Sequence, residues 1–192
     1  MDFYGFGKTP HPQHPLTLKD YAEGVNEIIK QYKMEDVILI GHSFGGRVAI
    51  LIASDSSRIG GIVLVDSAGI KPRRKLKYYY KVIKYKLCKK LGIRNIKAGS
   101  DDYNKLSGVM KETFVNVVNQ DLTKRLPDIT VPALIIWGEK DRETPFYMAK
   151  KLNKHIKGSR LNILEGAGHY SYLDNYNQFM GLIRDFIDKI PS

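Results

Sequence analysis

This 192-residue chain contains a single cysteine and only short apolar runs. Its one cysteine, Cys88, excludes an intrachain disulfide and a cysteine-based metal cluster. The longest apolar stretches, such as Val48 to Ala53, are far too short to cross a bilayer. The first residues show no basic region followed by an apolar core, which is the pattern of a signal peptide. We therefore expect a cytoplasmic protein with one ordinary hydrophobic core.

Acidic residues are missing from one long segment. Lys71 to Lys97 holds 12 of the 31 basic residues and none of the 20 acidic ones, so it accounts for the net charge of +11. No aromatic-rich sheet motif or helix-turn-helix signature accompanies it, so a nucleic-acid partner is not indicated. The segment is expected to be a solvated helix face, or else a basic surface that makes weak contact with anionic surfaces.

Apolar runs alternate with helical patterns over much of the chain. Thr17 with Asp20 predicts a capping box at the start of a helix. Buried strands are predicted at Val37–Ile40, Ile62–Val65, Val131–Trp137 and Leu161–Leu164. Uninterrupted apolar strands between helices indicate an α/β fold with a mostly parallel sheet and flanking helices.

The alternation is interrupted once. Residues 71–126 carry two helical patterns, the first formed by Leu76, Tyr80, Ile83, Leu87 and Leu91 and the second by Val109 to Leu122. We therefore predict a core domain in two parts, residues 1–70 and 127–192, with a helical insertion at residues 71–126.

The stretch Gly41–Gly46, with sequence GHSFGG, lies between a predicted strand and a predicted helix. This is the setting of a G-x-S-x-G nucleophile elbow, in which a strained turn exposes a serine hydroxyl. Gly41 and Gly45 are expected to remove side chains that would collide in the turn. Ser43 is then the candidate nucleophile, and the backbone N–H of Phe44 points toward the position of an oxyanion.

A serine nucleophile needs a base and an acid that orients the base. The elbow order is serine, then acid, then histidine, and Asp141 and His169 each follow a predicted strand in that order. Asp66, also at a strand end, is an alternative acid, and Glu139 is a minor rival. The remaining histidines are in less suitable places, namely His11, His14, His42 and His155.

Together these motifs resemble the alpha/beta-hydrolase fold family, in its single-domain esterase and carbon–carbon-bond hydrolase branch. The elbow, the acid loop Trp137–Asp141 and the histidine loop Gly168-His169 match the family. Asp2–Gly7 resembles the loop after the strand two before the elbow, and Val65–Gly69 resembles the entry to a cap. The resemblance implies that residues 71–126 form a helical cap that shapes the substrate pocket. We expect no cofactor and no metal.

The chain also departs from the family pattern. Family members begin with several strands that this chain lacks, and a His-Gly loop there supplies a second oxyanion donor. No His-Gly precedes the elbow in this sequence. We therefore expect an N-terminally truncated version of the fold in which the elbow strand is a sheet edge. Weak activity is expected from the isolated chain.

Three functions follow as hypotheses. The first is a serine hydrolase acting on a small-molecule ester or a similar acyl or carbonyl substrate. The second is an inactive truncated fragment or a non-catalytic binding protein. The third is an acyltransferase that uses the same triad with an alcohol in place of water. The sequence selects neither a substrate nor an oligomeric state.

Overall fold

The computed structural model describes residues 2–72 and 101–190. Helices and strands follow one another along these residues in the predicted α/β order. In sequence they are α1 (Leu18–Gln31), β1 (Val37–His42), α2 (Phe44–Asp55), β2 (Ile59–Val65), α3 (Asp101–Lys105), α4 (Gly108–Val118), a 3₁₀ helix (Thr123–Asp128), β3 (Ala133–Gly138), α5 (Tyr147–His155), β4 (Arg160–Leu164), α6 (Ser171–Asp174) and α7 (Tyr176–Ile187).

Two compact units make up the chain. The helical unit comprises Met1–Leu16 and Lys71–Asn119, and the sheet unit comprises Thr17–Ile70 and Gln120–Ser192. This division falls after residue 119, whereas the sequence places the end of the insertion at residue 126. The role of residues 71–126 as a cap remains a prediction.

Residues 120–126 belong with the sheet unit because they are bonded to it. The Leu122 N–H donates to the Gly69 carbonyl over 2.9 Å, and Leu126 is fully buried. The buried Arg47 of α2 donates from Nη1 to the Gln120 carbonyl over 2.8 Å. Burial lowers the pKa of Arg47 to about 10, and the charge of Asp121 opposes that shift, so the side chain remains a cation at neutral pH.

The sheet is fully parallel, with strand order β1-β2-β3-β4. This confirms the predicted fold class. Among the described residues β1 is an edge strand, as expected, and its Ile40 is 54% exposed. His42 pairs with Val65, and Gly138 pairs with Leu164, so the carboxyl ends of the strands lie level along one edge.

Both faces of the central strands are covered. On one face, Val63, Val65, Leu134 and Ile136 form a buried cluster with residues of α7, including Ile183 and Phe186. The alternate residues Ile62, Leu64 and Ile135 point to the other face and are fully buried too. Against the sheet, α2 packs on β1 and β2, and α5 packs on β3 and β4. The core therefore holds the four strand ends in fixed positions.

Helix α1 begins as the sequence predicts. The Asp20 N–H donates to the Thr17 hydroxyl oxygen, and the Thr17 N–H donates to the Asp20 carboxylate over 2.6 Å, which completes the capping box. Its buried residues include Tyr21 and Ile29. Tyr32 follows the last helical residue, Gln31, and is 65% exposed.

The helical unit joins the N-terminal loop to α4. The Leu16 N–H donates to the Thr113 hydroxyl over 3.0 Å, and the Asn116 side-chain amide donates to the Leu16 carbonyl over 3.3 Å. Within the loop, the Asp2 carboxylate accepts the Lys8 N–H over 3.1 Å. These bonds replace the regular structure that the prolines of this loop forbid.

Two expectations lie outside the described residues. They are the helical pattern from Leu76 to Leu91 and the basic segment Lys71–Lys97 from residue 73 onward. The predicted contact of that segment with anionic surfaces stays a prediction. In the described parts of the chain, no helix combines the length and the apolar character that a membrane crossing requires.

Candidate active site

The candidate site lies at the carboxyl edge of the sheet. Ser43 follows β1, Asp66 follows β2, Asp141 lies three residues after β3, and His169 lies five residues after β4. Because parallel strands end at the same edge, four loops that are distant in sequence meet there. All four belong to the sheet unit.

Ser43 occupies the strained turn that the elbow pattern predicts. Its φ of 48° and ψ of −111° are unfavourable for a residue with a side chain and cost about 1–3 kcal/mol. Three hydrogen bonds hold the turn. The Ser43 N–H donates to the Val65 carbonyl over 3.1 Å, and the Ser43 carbonyl accepts the N–H groups of Gly46 and Ala68 over 3.1 and 3.0 Å.

The two predicted elbow glycines are in different environments. A Cβ at Gly41 would lie 2.6 Å from the Gly45 carbonyl oxygen and 2.8 Å from the Gly46 Cα, so crowding at Gly41 is as expected. Crowding at Gly45 is not found. A Cβ there meets no heavy atom of the described residues within 4 Å, because this second residue of α2 faces open space. The second tight position is Gly46, which packs against Ser67.

The surroundings of Gly41 and Gly45 predict opposite effects on stability when each glycine is replaced by alanine. Gly41→Ala is expected to lower the free energy of unfolding by about 1–3 kcal/mol or more, because the contacted atoms are backbone and cannot rotate away. Gly45→Ala, at a helical position in open space, is expected to be neutral or to raise it by up to about 1 kcal/mol. Urea unfolding of both variants measures the difference. Equal destabilisation by the two changes would contradict the assignment.

The predicted acid, base and nucleophile form one chain of hydrogen bonds. Asp141 Oδ2 lies 2.9 Å from His169 Nδ1, and His169 Nε2 lies 3.0 Å from the Ser43 hydroxyl oxygen. A carboxylate can only accept, so Nδ1 carries the hydrogen and the lone pair of Nε2 faces the serine in the neutral ring. The Asp141 side chain is fully buried, and that of His169 is 8% exposed. The arrangement can move a proton from Ser43 to His169.

Backbone donors hold the Asp141 carboxylate in place. Its Oδ1 accepts the N–H groups of Glu143 and Thr144 over 2.8 and 3.0 Å, and the Thr144 hydroxyl contacts Oδ2. Burial alone would raise the pKa of Asp141, but the hydrogen bonds from His169 and Thr144 outweigh burial and hold that pKa below its usual value. Asp141 is therefore an anion at neutral pH.

Carboxylates surround the imidazole of His169. Burial would lower the pKa of His169, but the hydrogen bond and charge of Asp141, with the charges of Glu143 and Asp66, raise it above its usual value. Glu143 was not predicted from the sequence. Its Oε2 lies 3.3 Å from Nε2 of His169, the same nitrogen that faces Ser43, but its side chain is 64% exposed, so solvent and salt screen its charge.

The two rival acids have hydrogen-bond partners away from the imidazole of His169. The fully buried Asp66 accepts the Gly138 N–H over 2.7 Å and the Ser171 hydroxyl. The Glu139 carboxylate accepts the Gly166 N–H over 2.9 Å at the surface. Asp141 thus has the position that an orienting acid requires.

His42, set aside in the sequence as part of the elbow, joins two loops. Its Nε2–H donates to the His169 carbonyl over 2.8 Å, and its ring lies 5.1 Å from that of Tyr172. Burial lowers the pKa of His42, so the ring is neutral at pH 7. Its place next to Ser43 in the sequence was the one signal for this role.

The described residues also form a cavity away from the candidate site. A cavity of about 240 Å³ lies at the amino ends of β3 and β4, lined in part by Ala133, Arg160 and Phe186. It is at the opposite end of the strands from Ser43, so we do not assign it to the substrate.

Residues 2–72 and 101–190 contain no group of three His, Cys, Asp or Glu side chains arranged to hold a metal ion.

Known proteins share this architecture. The AB hydrolase superfamily protein YisY of Bacillus subtilis (strain 168) is 25% identical over 214 residues, which cover 97% of this chain and 79% of YisY. A pimeloyl-[acyl-carrier protein] methyl ester esterase of Neisseria meningitidis serogroup C is 40% identical over 81 residues, 42% of this chain and 32% of the esterase. The structure of the esterase EaEST from Exiguobacterium antarcticum has a TM-score of 0.76 at 23% identity, covering 98% of this chain and 80% of EaEST.

A sequence profile of the Alpha/beta hydrolase family matches residues 1–180, most of the chain. The parallel sheet with flanking helices is the architecture shared with the similar structures. The chain therefore belongs to the Alpha/beta hydrolase family.

Proposed function

We propose that this chain is a serine hydrolase that cleaves a small-molecule carboxylic ester, or a similar acyl or carbonyl substrate. Ser43 is the nucleophile, His169 the general base and Asp141 the acid that orients the base. The observation that carries the proposal is the unbroken hydrogen-bond chain from Asp141 through His169 to Ser43. The similarity to a methyl ester esterase over 81 residues supports an ester as substrate.

Acylation begins at the Ser43 hydroxyl. Its oxygen bonds to the acyl carbon while its proton moves 3.0 Å to Nε2 of His169, and the carbonyl π electrons become an oxyanion. Asp141 stabilises the imidazolium that forms. His169 then gives the proton to the leaving alcohol oxygen, the carbon–oxygen bond breaks, and an acyl group stays on Ser43.

Water completes the reaction by the reverse sequence. His169 takes a proton from water as the water oxygen bonds to the acyl carbon, and returns it to the Ser43 oxygen as the carboxylic acid leaves. Because the base must be neutral, activity is lost as pH falls through the raised pKa of His169. The acid limb of the pH profile therefore lies above pH 6.5, the usual pKa of histidine.

The oxyanion needs hydrogen-bond donors. We assign the backbone N–H of Phe44, the first residue of α2, where the positive end of the helix dipole adds to the effect. The ring of Phe44 packs edge-on against Tyr21 of α1, 5.0 Å away between ring centroids, which fixes this end of the helix. Loss of one such donor costs on the order of a hundredfold to a thousandfold in turnover.

Product analysis tests the proposal. The full chain is incubated with p-nitrophenyl butyrate, with and without an added alcohol, and p-nitrophenol, free acid and new ester are measured. We expect equal amounts of p-nitrophenol and free acid. New ester as the main product would make the chain an acyltransferase with the same triad. No turnover by a folded preparation would favour a non-catalytic protein.

A further inference from the structure

Asp66 is a buried carboxylate that the proposed reaction does not use. It follows β2, its side chain is fully buried, and its φ of 42° places it in the left-handed region. Asp tolerates this conformation better than most residues, but a buried anion in a strained position needs strong partners. Its partners all belong to the two loops that carry Asp141 and His169.

One carboxylate joins both loops. Oδ1 of Asp66 accepts the N–H of Gly138, the last residue of β3 and three positions before Asp141, over 2.7 Å. Oδ2 accepts the hydroxyl and, over 3.4 Å, the N–H of Ser171, which is two positions after His169 and fully buried. The Asp66 carboxylate thus bridges the two loops from a third position, after β2.

The main chain of Asp66 also makes hydrogen bonds to β3 and to the acid loop. Its N–H donates to the Ile136 carbonyl over 3.0 Å, and its carbonyl lies 3.0 Å from the Thr144 hydroxyl, which also contacts Asp141. The acid loop and the histidine loop also touch directly, since a Cβ at Gly138 would overlap the Gly168 carbonyl oxygen. Small shifts of either loop therefore change the distance from Asp141 to His169.

Asp66 is also close enough to affect the charge of the site. Burial raises the pKa of Asp66 to about 6, with a contribution from the charge of Asp141, while the Gly138 and Ser171 donors oppose the shift. Above that pH its negative charge adds to those of Asp141 and Glu143 in favouring the imidazolium of His169.

We propose that Asp66 is a positioning residue: its carboxylate ties the loop of His169 to the strand end that begins the acid loop, and so fixes the base against its orienting acid. The catalytic part of this role rests on the proposed hydrolase function. An asparagine at position 66 is neutral and keeps one accepting oxygen for the Gly138 N–H. Its NH₂ group can only donate, so the Ser171 N–H loses its acceptor and the Ser171 hydroxyl must turn to accept.

Three variants test the proposal. Asp66→Asn removes the charge and weakens the bridge, Ser171→Ala removes one bond and leaves the charge, and Asp174→Asn is the matched control. Asp174 accepts the Gly168 N–H over 2.7 Å, so its carboxylate holds the histidine loop from the surface. The readouts are kcat and KM for ester hydrolysis, and the pH dependence of the His169 ¹⁵N shifts in the folded protein.

Asp66→Asn is expected to lower kcat on the order of a hundredfold with little change in KM. It should also lower the pKa of His169, since a negative charge is lost, and move the acid limb of the activity to lower pH. Ser171→Ala should lower kcat less, without the loss of charge, and Asp174→Asn should have a small effect. A role in stability alone would move the melting temperature and leave kcat of the folded protein unchanged. Loss of the Asp66 charge lowers the His169 pKa in either case, so Ser171→Ala, which keeps the charge, separates positioning from charge.

Each measured outcome either supports or overturns the positioning role of Asp66. Folded Asp66→Asn with unchanged kcat overturns the proposal, as does an equally large effect of Asp174→Asn. If Asp66→Asn does not fold, Ser171→Ala decides, and unchanged kcat and His169 shifts overturn it. If the unmodified chain hydrolyses no ester, changed His169 ¹⁵N shifts in Ser171→Ala, which keeps the Asp66 charge, still support the positioning role, and only the proposed function fails.

Discussion

Replacing Ser43 by alanine is expected to abolish fluorophosphonate labelling of the chain and to reduce ester hydrolysis by roughly a millionfold, the effect typical of a serine nucleophile in such a triad. The hydroxyl is the atom that His169 contacts at 3.0 Å, and the strained turn at residue 43 holds it there. Alanine has no atom that can bond to phosphorus or to an acyl carbon. Peptide mass spectrometry after labelling measures the result.

Ser54→Ala is the matched control for this experiment. Ser54 lies on the same helix, α2, and its hydroxyl donates to the Leu51 carbonyl over 2.9 Å within that helix. The control should label and hydrolyse like the unmodified chain. Labelling that persists in Ser43→Ala would contradict the choice of nucleophile.

Asp141→Asn is expected to lower kcat by about four orders of magnitude while the fold is kept. Two backbone N–H groups, from Glu143 and Thr144, point at Oδ1, so the amide oxygen of an asparagine takes that place. Its NH₂ group then faces Nδ1 of His169. The imidazole must accept there, which places its hydrogen on Nε2 and removes the lone pair that Ser43 needs. Steady-state kinetics and the ¹⁵N shifts of His169 measure the loss and the change of tautomer.

Glu139→Gln is the control for a carboxylate of the same loop. Glu139 accepts the Gly166 N–H at the surface, so its amide should support activity close to that of the unmodified chain. The expected order of severity is Asp141→Asn, then Asp66→Asn, then Glu139→Gln. A mild Asp141→Asn beside a severe Asp66→Asn would mean that the acid follows β2 rather than β3.

Local patterns in the sequence were enough to predict most elements of the sheet unit. The capping box at Thr17 and the four apolar runs each depend on neighbours within a few residues, so they could be read without the fold. The strand bounds differ by a few residues. β2 begins at Ile59 rather than Ile62, because Gly60 and Gly61 break the apolar pattern while Ile59 still pairs with Val37 and Gly61 with Ile38 of β1.

Contacts between distant segments could not be predicted in this way. From the sequence, Gly41 and Gly45 were predicted to be glycine for the same steric reason. Only the path of α2 decides that Gly41 faces backbone atoms and Gly45 faces open space. Glu143 was overlooked because a surface carboxylate has no pattern that marks it. Its 3.3 Å approach to His169 depends on where the loops after β3 and β4 meet.

The order serine, acid, histidine and the elbow itself were determined by the sequence alone, because the chemistry of each residue and its place after a strand are local properties. The sequence favoured Asp141 over Asp66 as the acid, and only the tertiary structure shows what each carboxylate contacts. Both follow buried strands, and the order of residues fits both. The sheet register and the backbone donors around each carboxylate turn Asp141 toward Nδ1 of His169, and turn Asp66 toward Gly138 and Ser171.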